Sequence, residues 1–154
     1  MNIKSILITA FVLIGLSSNL YAQKSLEENK NYTGAPATKS VYRAIYQLDQ
    51  ASPDIIKKAF RNINNLLEDP RLKGKIEVEL VAFSGGTEAF KKGSEYENAL
   101  KMLINKGVSV VQCLNTLKER NIKKSELFDF IGYVPTGNGE LVIKAGEGWT
   151  IVKP

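Results

Sequence analysis

Sulfur chemistry in this chain rests on one residue. Cys113 is the only cysteine among 154 residues, and there is no histidine at all. It sits in Val110-Val111-Gln112-Cys113-Leu114-Asn115-Thr116-Leu117, an apolar strand pattern running into a polar turn that opens a helix. Unpaired N–H groups at a helix start favour an anion, and the thiolate is the nucleophilic form of the side chain. A thiolate placed there can accept sulfur to become a persulfide, or attack a disulfide. The competing role is a small core residue, because cysteine is among the most frequently buried residue types and burial blocks access.

The absences exclude whole classes. Without histidine the chain supplies no Ser-His-Asp triad, no Cys-His dyad and no His-ligated zinc. A single cysteine excludes a Cys-x-x-Cys redox pair and any internal disulfide. Neither a metal site nor a cofactor is expected. Glu77 and Glu79 alternate with Ile76, Val78 and Leu80, so both read as exposed strand positions and not as a catalytic carboxylate pair.

The elements around Cys113 alternate between strand and helix. Val41 to Leu48 is rich in β-branched and aromatic residues and reads as a strand. Ser52-Pro53 supplies a helix start, and Ile55, Ile56, Ala59, Phe60, Ile63, Leu66 and Leu67 give that helix an apolar face. Ile76 to Phe83 is a second strand. Ser94 and Glu97 have capping-box spacing ahead of a helix through Tyr96, Ala99, Leu100, Leu103 and Ile104, which Gly107 ends. Val108 to Cys113 is a third strand, after which Asn115 or Thr116 would cap a short helix through about Asn121. Ile131 to Val134, Asn138 to Ala145 and Trp149 to Val152 complete a strand, a helix and a last strand. Such alternation predicts a three-layer α/β/α domain, flavodoxin-like, around a five-stranded, mostly parallel sheet.

Ligands of open parallel sheets lie beyond the carboxyl ends of the strands. Four segments fall there: Leu48-Asp49-Gln50, Ser84-Gly85-Gly86, Cys113 to Thr116, and Pro135-Thr136-Gly137. Asp49 is a polar neighbour without an assigned role. The backbone of Ser84, Gly85 and Gly86 is a candidate oxyanion cradle, although short glycine pairs are more often plain turns. Asn115 and Thr116 are candidates to hold negative charge beside the thiolate.

Residues 1–22 read as a signal peptide. Lys4 precedes the apolar run Ile6 to Leu16, and Leu20-Tyr21-Ala22 offers a cleavage site after Ala22. The run is short for a membrane span, so an uncleaved anchor is the lesser alternative. The expected destination is the periplasm or the extracellular space. Residues 23–39 are polar and aperiodic and read as a flexible arm, followed by a domain over 40–154. The full chain carries a formal charge of +5, and losing Lys4 leaves +4. Its lysines are scattered among acids with no basic stripe, which argues against a nucleic-acid partner. An anionic small molecule remains compatible with this charge.

The run Val111 to Leu117, continued by Ile122-Lys123-Lys124-Ser125-Glu126-Leu127 and by the ending Gly148 to Pro154, resembles the DsrE/DsrF-like proteins, nearest to a small single-domain branch with a Cys-x-Asn-Thr segment. The resemblance implies a parallel α/β fold, self-association as trimers or hexamers, and sulfur relay on a cysteine. One departure stands out: many such proteins carry a His-Gly-Pro-Gly type turn where this chain has Phe83-Ser84-Gly85-Gly86. A role resting on that histidine does not transfer. The alternative to relay is an oligomeric binding module for a small anion or a partner protein, with Cys113 a core residue.

Overall fold

The computed structural model describes residues 25–154, so the expected signal peptide and its cleavage point lie outside the described residues. Residues 25–36 belong to one unit, and Ala37–Pro154 is the second. In the first, α1 (Leu26–Lys30) stands where an aperiodic arm was expected. Its cause is local. Glu28 N–H donates to Ser25 Oγ at 3.0 Å and Ser25 N–H to Glu28 Oε2 at 2.8 Å, a reciprocal capping box.

The second unit contains β1 (Tyr42–Leu48), α2 (Pro53–Leu67), β2 (Ile76–Ala82), a 3₁₀ segment (Ser84–Phe90), α3 (Glu97–Asn105), β3 (Ser109–Cys113) and α4 (Leu114–Glu119). A 3₁₀ turn (Lys124–Glu126), β4 (Gly132–Val134), α5 (Gly137–Gly146) and β5 (Thr150–Val152) follow. The strands lie in the order β4-β3-β2-β1-β5, and every pairing is parallel. The expected three-layer α/β fold is present.

This order explains how the core is divided. From β1 to β4 each strand is laid beside the previous one in the same direction. Right-handed crossovers of that kind all fall on one face of the sheet. On that face Ala44, Tyr46, Leu48, Val78, Leu80, Ala82 and Val110 meet Ile56, Phe60 and Ile63 of α2, Leu100 and Leu103 of α3, and Leu117 of α4. From β4 the chain then returns across the whole sheet to β5, which reverses the direction and places α5 on the other face. The second cluster is small: Ile45, Val81, Val134 and Leu141, with Phe83, Val111 and Trp149 against it.

Two local expectations are corrected. Ser94 does not cap α3; Tyr96 holds the N-cap position, and Ser94 Oγ donates to Ala89 O at 3.1 Å, closing the preceding turn. Glu79 is not exposed. Only 4 % of it is accessible, because α5 crosses β2 and sets Lys144 Nζ 3.1 Å from Glu79 Oε2. Glu77, two residues earlier, lies clear of the helix and pairs with Arg43 at 2.7 Å.

Candidate functional site

The strand-end segments do not converge equally. β3 feeds α4 on one face of the sheet, and its neighbour β4 feeds α5 on the other. A sheet opens a crevice where adjacent connections diverge in this way. A cavity of about 310 Å³ lies there, walled by Cys113, Asn115 and Thr116 from β3–α4, by Thr136 and Asn138 from β4–α5, and by Phe83 and Ser84 from the end of β2.

Cys113 is itself the N-cap of α4, the position expected for Asn115 or Thr116. Its backbone is extended, and Sγ accepts the Thr116 N–H at 3.3 Å. Only 4 % of the residue is accessible, and its sulfur is a free thiol. Thr116 is buried and works on both sides: its N–H faces the sulfur, and its Oγ1 accepts the Ser84 N–H at 3.0 Å. The Asn115 N–H is committed to Pro135 O at 3.1 Å, and its side-chain amide donates to Glu119 at 2.8 Å. Of the two backbone donors expected to hold negative charge, Thr116 faces the thiol and Asn115 instead ties α4 to the β4–α5 loop.

The glycine turn after β2 is a packing device. Ser84 N–H goes to Thr116 Oγ1, Gly85 N–H to Asp49 O at 3.0 Å and Gly86 N–H to Phe83 O at 2.9 Å, so this stretch has no spare backbone donor with which to cradle an oxyanion. Glycine is needed at position 86 because a Cβ there would fall on the Leu48 carbonyl oxygen. Ser84 bridges turn and cavity with φ of +49°, a left-handed conformation that costs a non-glycine residue about 1–2 kcal/mol. Its bond to Thr116 holds it there. Buried Gln112 fastens the same turn from below, donating to Thr87 Oγ1 at 3.0 Å.

Asp49 does not reach the cavity. Its carboxylate takes Gln47 Nε2 at 3.1 Å and Lys153 Nζ at 3.2 Å, a link between β1 and the chain end. A larger hollow of about 420 Å³ lies among Val41, Ala44, Tyr46, Leu66, Ile76 and Val152 and contains none of the candidate groups.

Three cavity residues were missed from sequence: Glu119, Arg120 and Asn138. Thr136 belonged to a strand-end segment and caps α5 by accepting Gly139 N–H at 3.0 Å. Arg120 follows the last residue of α4 and makes no ion pair among the described residues. Nothing in its spacing announced it. Phe83, standing where the resemblance would place a histidine, packs on Gly137, where a Cβ would lie 2.6 Å from its ring. A polar crevice results, with one buried thiol and one uncommitted guanidinium.

The model of the DsrE/DsrF-like family matches residues 34–154. Among solved structures, a protein of unknown function, MTH1491 from Methanobacterium thermoautotrophicum, is 27 % identical with a TM-score of 0.69, over 73 % of this chain and 99 % of that one. The ychN protein from E. coli is 15 % identical with a TM-score of 0.58, over 74 % and 99 %. BT1422 from Bacteroides thetaiotaomicron, a conserved protein of unknown function, is 10 % identical with a TM-score of 0.54, over 79 % and 100 %. The last two show likeness of fold alone. No curated protein matches the chain.

Proposed function

Since the chain belongs to the DsrE/DsrF-like family, whose members are generally associated with sulfur relay, we propose that it binds or relays a sulfur species through Cys113. The observation that carries this reading is the place of the sulfur, in the wall of the switch-point crevice with the Thr116 N–H directed at it. In the relay, the Cys113 thiolate attacks the outer sulfur of a persulfide. A sulfur–sulfur bond forms to Cys113, the donor's own breaks, and the donor leaves as a thiolate. A later thiol takes the outer sulfur by the same exchange, so no oxidant is consumed. Arg120 supplies positive charge for an anionic donor, and the Thr116 N–H bears on the charged sulfur.

The relay operates outside the cytoplasm in this reading, supported by Lys4, the apolar run Ile6 to Leu16 and the small residues before Ala22. No helix among the described residues is long and apolar enough to cross a membrane. The low exposure of Cys113 favours a second reading, a binding module in which the thiol is core and the crevice holds a small anion.

Intact mass after incubation with a polysulfide donor separates the two. Relay predicts a gain of one sulfur that vanishes in Cys113→Ser, with fast alkylation of the parent thiol. An unmodified, slowly alkylated thiol would leave only the binding module.

A further inference from the structure

Three crossovers cover one face of the sheet, while α5 covers the other alone. Five strands about 4.8 Å apart make a face about 19 Å wide, and one helix shields about 10 Å of it. Ser109 and Gly132 stay exposed on that face. The helix is apolar on both sides. Leu141 points to the sheet, and the opposite side carries Gly139, Val142, Ile143 and Gly146 at the i, i+3, i+4, i+7 spacing of a packing stripe. Val142 is 72 % and Ile143 59 % exposed. No charge interrupts the stripe, because Lys144 is drawn to Glu79 and Glu140 beneath it.

We propose that this stripe is the contact face for a second copy of the chain, α5 lying antiparallel on α5 about a two-fold axis. Symmetry makes the stripe its own complement. With the axis midway between Val142 and Ile143, each Val142 meets Ile143 of the other copy, and each Gly146, with open space where a side chain would stand, meets Gly139, whose own Cβ position the capping Thr136 hydroxyl fills. The end charges agree. Glu147 follows the carboxyl end of its own helix, where the helix dipole disfavours a negative charge, and it has no ion-pair partner among the described residues. The antiparallel arrangement sets it against the other copy's Asn138, at the positive end of that helix.

A ten-residue helix is about 15 Å long, too short to supply the roughly 800 Å² per partner of a standard interface. The contact therefore extends over the bare strands beside α5, including exposed Ile151. Such a dimer fits an even-numbered assembly, a hexamer but not a lone trimer. It does not depend on the chemistry of Cys113.

Sedimentation velocity of the purified chain tests this with two variants. The parent should sediment as a dimer or a multiple of two. Val142→Glu and Ile143→Lys alone should each weaken association on the order of 100-fold, since each buries unpaired charge. Mixed, they should reassemble, because the introduced carboxylate faces the introduced ammonium and the other pair is native. A monomeric parent overturns the proposal, as do variants that keep the parent's mass or folded variants that fail to reassemble when mixed. Should either variant not fold, amide exchange of the parent decides: residues 137–146 must gain protection as concentration rises, and constant protection overturns the contact.

Discussion

Lys144 holds α5 to the sheet through a charge it neutralises, and removing it should cost stability in a pH-dependent way. Its Nζ lies 3.1 Å from Glu79 Oε2, 3.8 Å from Glu140 Oε1 and 4.2 Å from the centre of the Trp149 ring. Burial pushes the Glu79 carboxyl above its ordinary value of 4.5, and Lys144 pulls it back. For an acid raised in the folded state, stability is greatest where the group is protonated. It is lost as pH rises above 4.5 through the folded value. Lys144→Met keeps most of the stem's volume but leaves Glu79 without its cation, raising the carboxyl further.

The most this can cost is the work of keeping Glu79 protonated. At 1.36 kcal/mol per pH unit that is about 3.4 kcal/mol at pH 7 and about 0.7 kcal/mol at pH 5. Loss of the cation–π contact adds about 0.5–1 kcal/mol at either pH. Urea unfolding should thus show a loss that is larger at pH 7, where it stays below about 4.5 kcal/mol, than at pH 5, where it stays below about 2 kcal/mol. Adding Glu79→Gln should remove the pH dependence. Cys113 alkylation should also quicken in Lys144→Met, since α5 carries one wall of the crevice. Equal losses at both pH values, or additive single and double variants, would refute the electrostatic reasoning.

Two further outcomes follow from the crevice and its supports. Arg120→Ala should slow sulfur loading from an anionic donor roughly 10- to 100-fold, the worth of a charge-assisted hydrogen bond, while thermal unfolding stays within about 1 kcal/mol; loading at the parent's rate would remove Arg120 from the site. Gly86→Ala should destabilise by about 1–3 kcal/mol in denaturant titration, because the new methyl group lands on the Leu48 carbonyl and the turn must shift. A neutral effect would show that the 84–90 turn gives way easily.

The layers of this fold were legible because periodicity is local. Ile56, Phe60 and Ile63 mark a helix face, and Ile76 to Ala82 a strand, without reference to anything distant. The crevice was partly legible too, since the ends of parallel strands are where polar turns meet. Cys113, Thr116 and Thr136 all lie in segments that the rule selects. What escaped depends on where the chain travels. Glu79 alternates like an exposed residue and is buried only because α5 returns across the sheet above it. Arg120 joins the cavity through the direction of the last turn of α4. The cap of α4 was misplaced because cysteine is not among the usual capping residues, so a helix starting at Leu114 was passed over for one starting later.

The two walls of the crevice are anchored very differently. α4 belongs to the large cluster shared with α2 and α3, whereas α5 is held by a small one, in which Leu141 packs with Ile45, Val81 and Val134, and by one ion-paired lysine. Local opening draws on the least stable contacts first. The crevice therefore behaves as a door with one fixed jamb, and the hinged side is α5. How often Cys113 meets solvent is set less by its own burial than by the residence time of that helix on the sheet, and whatever docks on the outer stripe of α5 holds the latch.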